Sequence, residues 1–238
     1  MLKKFLVLFC LAGSLASCET LTNLPVANAP VTITEGEAAQ GIKQALEQGI
    51  GRGITTLNIE DGFLGNQAYK IFLPAEAQRI ESTLRQLGMN ALVDKAITQI
   101  NRAAENAVGY ARPIFTEAIM EMTITDAINI IRGGNDAATQ YFRQKTADKL
   151  KAAFAPVVQS SLEKFSATKY YGDVVNTYNN FPTTINKINP DLKAHVVDQA
   201  VNALFDQIAK EEANIRANPV ARTTEILRRV FGYAARTQ

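Results

Sequence analysis

The chain has no tryptophan, a single histidine and only two cysteines among its 238 residues. Each shortage removes a class of chemistry. A histidine-ligated metal needs companions, and His195 has none, so no metal is expected. Charge of one sign is also lacking, because 25 basic side chains face 23 acidic ones. Such a balance gives no electrostatic case for nucleic acid as a partner. There is no long hydrophobic run either. Phe5 to Ala12 is the longest apolar stretch, well short of the ~20 residues that span a bilayer. No G-x-S-x-G elbow, Walker loop, H-E-x-x-H helix or dinucleotide fingerprint occurs. Gly49-x-Gly51-x-Gly53 falls inside a helical pattern rather than after a strand, so it is not a phosphate cradle. Asn58 to Gly62 lacks the alternating oxygens of a calcium loop. No cofactor is expected.

What is present begins with residues 1–17, which have the parts of an export signal. Lys3-Lys4 forms a basic start, an apolar core follows, and small residues lead up to Cys18. Leu15-Ala16-Ser17-Cys18 resembles the lipobox of bacterial lipoproteins. That resemblance implies a diacylglyceryl group on the Cys18 thiol, cleavage before it, and acylation (palmitate) of the new amine. Losing residues 1–17 leaves 23 basic against 23 acidic side chains and removes Cys10. With Cys18 lipidated, neither thiol catalysis nor a disulfide is then available. Glu19, where Asp would be the usual retention residue of the inner membrane, points to the outer membrane, facing the periplasm. Residues 18–34 hold two prolines and no periodicity, and read as an extended tether.

Residues 35–238 read as one all-α domain of eight or nine helices, since long segments lack strand-like alternation. Ile42, Leu46, Ile50, Ile54 and Leu57 make one stripe of a helix from Glu35 to Leu57. Beside it runs a ridge of Gly41, Ala45, Gly49 and Gly53. Glycine inside a helix costs ~1 kcal/mol relative to alanine, so the ridge predicts close approach of another backbone. Asn58 to Leu73 is an irregular connection. Helices are expected from Pro74 to Leu87, ended by Gly88, and from Ala91 to Val108, capped by Asn90.

Pro113 to Lys145 predicts three short helices in series at the centre of the fold. Thr123 with Asp126 makes a capping box. Gly133-Gly134 is expected to end that helix through positive φ, and Asn135 to cap the next. Thr146 is expected to cap a further helix, Ala147 to Phe165, which Pro156 should kink or break near Ala152 to Ala155. Asn189-Pro190 and Asn218-Pro219 each read as a cap followed by a first-turn proline, opening helices to Ile215 and Phe231.

Two constellations are candidate sites. Arg102, Glu105, Asp126, Arg132, Asp136 and Arg143 are charges set beside apolar stripes, with Arg102 and Glu105 one turn apart. They read first as ion pairs fixing the order of the short helices. The alternative is a polar pocket for an anion or for carboxylate acid–base work. Tyr170, Tyr171 and Tyr178, interleaved with asparagines, read equally as a surface that stacks on a glycan or a protein and as cover for the core. His195 lies on an amphipathic stretch and reads as a surface or half-buried helix position.

From Gly41 to Gly232 the chain resembles the DUF4197 family. The residues that carry this are Asp61-Gly62-Phe63-Leu64, Asn101-Arg102-Ala103-Ala104-Glu105, Pro113-Ile114-Phe115 with Ala118-Ile119, and Asp126-Ala127. Further matches are Gly133-Gly134 with Asp136-Ala137-Ala138-Thr139, Tyr141-Phe142-Arg143, and Ala221-Arg222-Thr223-Thr224. The resemblance implies an all-helical envelope protein and brings no catalytic residues. The expectation is therefore a membrane-anchored structural or binding module, with an envelope protein or a glycan as partner. The alternatives are a hydrolase or transferase using Arg102, Glu105, Asp126 and Asp136, or a carrier of an apolar ligand.

Overall fold

A capping box starts the first helix. Thr34 Oγ1 accepts the Glu37 N–H at 3.2 Å while Glu37 Oε2 accepts the Thr34 N–H at 3.0 Å, which satisfies two donors that a helix start otherwise leaves bare. From there α1 runs over Glu35–Leu57, as its periodicity predicts. The computed structural model describes residues 33–237 apart from 183, 186, 189 and 190. Residues 1–32, and with them Cys18 and the signal, lie outside the described residues, as does the Asn189-Pro190 pair.

Eight further α-helices follow among the described residues: α2 Gln78–Gln86, α3 Asn90–Val108, α4 Arg112–Glu121, α5 Ile124–Arg132, α6 Ala137–Lys164, α7 Ala167–Asn179, α8 Leu192–Ala217 and α9 Glu225–Thr237. Residues 32–238 form one unit. In it α8 lies against both α1 and α6, α6 packs in turn on α3, and α3 on α7, while α5 and α9 cover α1. Phe115 of α4 sits where these layers meet. It stacks on Phe142 with centroids 5.6 Å apart and meets Phe205 edge-on at 5.8 Å, an arrangement favoured by the ring quadrupoles.

The central segment departs from its expected form. Two short helices are present, but the third continues into a 28-residue helix, α6. Thr146 is no cap. It is buried in mid-helix, and its hydroxyl donates to the Phe142 carbonyl at 2.6 Å. Pro156 does not break α6. Gly133 has φ −81° and is extended, so positive φ is not its role. A Cβ there would lie 2.5 Å from that of Ala137, and the tight turn into α6 is what requires glycine.

Residues 167–179, rich in Tyr and Asn, form α7, which periodicity alone does not announce. Helix α8 is capped by Asp191, whose Oδ1 accepts the Ala194 N–H at 2.9 Å. Asn218 caps only the 3-10 turn Pro219–Ala221. The last helix begins after it, where Thr224 Oγ1 accepts the Leu227 N–H.

The glycine ridge of α1 meets two helices. Gly49 and Gly53 face α8, where an added Cβ would lie 3.6 Å from Ile208 and 3.2 Å from Gln207. Gly41 is tightest, its Cβ position falling 2.6 Å from Val230 of α9. Gly51, off the ridge, has only Arg112 atoms near it, at 3.7 Å and beyond. Gly41→Ala should therefore lower stability by about 1–3 kcal/mol through overpacking. Gly51→Ala should be neutral or raise it by up to ~1 kcal/mol. Urea denaturation of the two variants checks the order, and a Gly41→Ala protein as stable as Gly51→Ala would show that the ridge has slack.

Candidate functional site

The six charged residues picked from the sequence do not converge on one place. Arg102 and Glu105 do pair, with Nη1 2.7 Å from Oε2, and Arg102 Nη2 reaches Asp61 at 2.9 Å and Glu60 at 3.2 Å. These contacts raise the Arg102 pKa, the Glu105 hydrogen bond most. The other Glu105 oxygen accepts the backbone N–H groups of Phe63 and Leu64 at 3.1 and 3.2 Å. One turn earlier on α3, buried Asn101 takes the Ile71 N–H on its oxygen and donates to the Ile71 carbonyl, both at 2.8 Å. Together α3 supplies the partners that the buried part of the 58–73 connection would find in a sheet. This is a clamp on a loop.

Asp126 belongs to the α5 capping box. The Thr123 hydroxyl, then Tyr141, hold its carboxyl below the ordinary value, while burial and the same carboxylate push the Tyr141 phenol up to about 12. Asp136 is exposed and accepts only from Gln140 of its own helix. It does not pair with Arg143, so the ion pairs expected to fix the short helices do not include these two. Arg143 instead donates to Asn202 at 2.8 Å and lies 4.5 Å over the Phe205 ring. The Arg132 side chain makes no hydrogen bond, ion pair or ring contact with any described residue.

Other charges that organise the fold were not among those six. Glu212 of α8 is buried and accepts the Ala138 and Thr139 N–H groups at 2.9 and 2.8 Å. It thus caps α6 from another helix, the task assigned from sequence to Asn135. Arg216 pairs with the same carboxylate at 2.8 Å and donates to the Ile130 carbonyl at the end of α5. Glu211 faces the other way, to Gln48 at 2.7 Å and Arg52 at 2.9 Å on α1. Arg222, buried without a carboxylate, caps the end of α8 through the Ile215 and Arg216 carbonyls, and burial lowers its pKa. His195 Nε2 donates to the Phe72 carbonyl, 2.9 Å away, which ties α8 to the loop.

Clefts indent the surface formed by the described residues. One of about 270 Å³ lies beside Tyr69, Asn202 and Asp206. There the Tyr69 hydroxyl donates to Asp206, and Lys210 donates to Tyr69 at 2.6 Å and pairs with Asp206 at 2.8 Å. Those polar groups satisfy one another. A second cleft, near the start of α1, is lined in part by Arg132.

A third, about 530 Å³, runs between the start of α2 and the end of α7. Tyr178 lines it, with Ile80, Glu76 and Arg79 opposite. Glu76 and Arg79 are exposed, and neither side chain has a hydrogen bond or ion pair among the described residues. Tyr171, two turns before Tyr178, is buried with its hydroxyl unpartnered. Burial first, then the Glu76 charge, pushes that phenol up to about 12. Tyr170 is half-buried, with Lys95 and Lys169 against its ring. Of the three tyrosines, then, Tyr171 covers the core and Tyr178 faces the groove. The loose Glu76 and Arg79 carry no motif that could have marked them in the sequence.

Among the described residues no three His, Cys, Asp or Glu side chains are placed to hold a metal, and no helix is long and apolar enough to cross a membrane. These features define an all-α domain whose buried charges cap helices and clamp a loop. The chain belongs to DUF4197, a family of proteins of unknown function, which it matches over residues 32–232. No curated protein and no solved structure matches it.

Two expectations follow. Glu212→Gln leaves Arg216 buried without its counter-charge and should cost on the order of 3 kcal/mol, whereas Asp136→Asn should stay within about 0.5 kcal/mol. Equal melting temperatures for these variants would contradict the division into framework and surface charges. Asp126 has a folded pKa below its unfolded one, so its stabilisation is complete above the unfolded value, about pH 4, and is lost as pH falls through the folded value. Melting curves of wild type and Asp126→Asn should therefore differ at neutral pH and draw together in acid.

Proposed function

We propose that the chain is a lipid-anchored binding module of the cell envelope, held to the outer membrane through Cys18 and binding a glycan in the groove between α2 and α7. The observation that carries the binding site is the pairing of loose polar groups with an aromatic ring: Glu76 and Arg79, without partners among the described residues, stand across from Tyr178. A pyranose offers an apolar C–H face to a tyrosine ring, and hydroxyls to a carboxylate acceptor and a guanidinium donor. The volume falls within the ~300–1,000 Å³ common for ligand sites. Support for the anchor is the Lys3-Lys4 start, the short apolar core and the Leu15-Ala16-Ser17-Cys18 register. The carboxylates of the hydrolase or transferase alternative are divided among a loop clamp, a capping box and an exposed turn, so no single arrangement favours it.

Titrating the mature protein with soluble fragments of envelope glycan tests the groove. Binding should weaken about tenfold or more in Tyr178→Ala and in Glu76→Gln, with melting temperatures kept. Glycan binding untouched by either change would refute the assignment. For the anchor, mass spectrometry should find diacylglyceryl on Cys18. Cys18→Ser should release the protein from membranes in a carbonate wash, since two or more acyl chains are what make such anchoring stable.

A further inference from the structure

The second cleft lies where the chain enters the folded domain. It holds about 190 Å³ and is walled by Ile33 and Ala38 at the start of α1, Ile128 and Ile131 of α5, and Val230 of α9, with Arg132 beside them. Ile124, Ile128 and Ile131 follow one another at i, i+4 and i+7, so they share a face of α5. Ile124 is 48% exposed, Ile128 and Ile131 are half-buried, and Met120, just across the turn from α4, is 73% exposed. An apolar strip thus leads from an α-helical corner into the cleft, and at its end stands a guanidinium with no partner among the described residues.

We infer that this strip, Met120, Ile124, Ile128 and Ile131 together with Arg132, docks on the headgroup layer of the membrane. The inference rests on the reading of Cys18 as the lipid site. Only Glu19–Thr32 separates that cysteine from Ile33, and fourteen residues reach at most about 50 Å even when fully extended. The tether joins the domain at the end that carries the strip. A tether of this length keeps a weak contact occupied through high effective concentration. The chemistry suits the boundary, since isoleucine and methionine enter the first few ångströms of acyl chain while arginine binds phosphate in a forked geometry. The opposite end of α1 lies roughly 34 Å away, from 23 residues at ~1.5 Å each, and Ile59 stands just beyond it, 56% exposed.

The test uses the chain from residue 18 onward carrying Cys18→Ser, which keeps the whole folded unit and has no acyl chain. It should cosediment with vesicles of phosphatidylethanolamine and phosphatidylglycerol. Met120→Asp with Ile124→Asp, both at exposed positions, should weaken that binding about tenfold or more. Arg132→Gln should weaken it less, and Ile59→Asp should leave it unchanged. No vesicle binding, or binding indifferent to the Met120 and Ile124 changes, overturns the inference. So does self-association in light scattering that disappears in the same double variant, since the strip would then be covered by a second copy. Mass spectrometry of Cys18 in the native chain reports on the anchor separately, so a failed anchor and a failed docking face are told apart.

Discussion

Helix α8 buries two consecutive carboxylates, and most of the arrangement depends on how they are answered. Adjacent residues on a helix point about 100° apart, so Glu211 and Glu212 cannot serve the same neighbour. Glu211 faces the Gln48 and Arg52 side of α1. Glu212 faces the bare N-terminus of α6, where two backbone donors and Thr139 Oγ1 converge on it. A buried carboxylate is costly unless charge and hydrogen bonds both compensate. Arg216, one turn on, brings the charge and carries the link to the end of α5. The apolar layers fix which helices touch, while these two residues fix how they slide along one another.

The same logic recurs at α3. The connection after α1 is buried at Phe63 and Ile71 yet forms no helix or strand over 58–73, so its backbone groups need partners from elsewhere. Asn101 and Glu105 provide them from one face of α3, and Arg102 closes the network onto Asp61. Gly62 is obligatory there because a Cβ would lie 2.5 Å from the Leu57 carbonyl oxygen. The stretches 61–64 and 101–105 are thus two halves of one clamp. Stretch 136–139 has the same relation to Glu212.

Local rules were enough for α1, whose stripe, capping box and length all agree, and for the Thr123–Asp126 box. They misled at Thr146, where threonine before a polar run has the look of a cap. In a buried site it back-bonds to Phe142 instead, and tertiary packing carries the helix through. The cap on α6 was illegible for a plainer reason: Glu212 stands 74 positions from Ala138 in the chain. Arg143 lies beside Asp136 in pattern but turns to Asn202 and Phe205, a choice set by which helix packs against α6. Tyr178 could be read as a candidate from its aromatic company. Glu76 and Arg79 could not, because an unpartnered charge is recognised only once its neighbours are in place.

The central claim is that the buried carboxylates hold loop and helix ends as firmly as the core itself. Amide hydrogen exchange measures this without any mutation. The N–H groups of Phe63, Leu64, Ala138 and Thr139 lie in a loop and in a first helical turn, where exchange is ordinarily fast. Held by Glu105 and Glu212, they should exchange only through global unfolding, at rates matching the core of α8. Exchange of these four amides as fast as that of an exposed loop would contradict the claim.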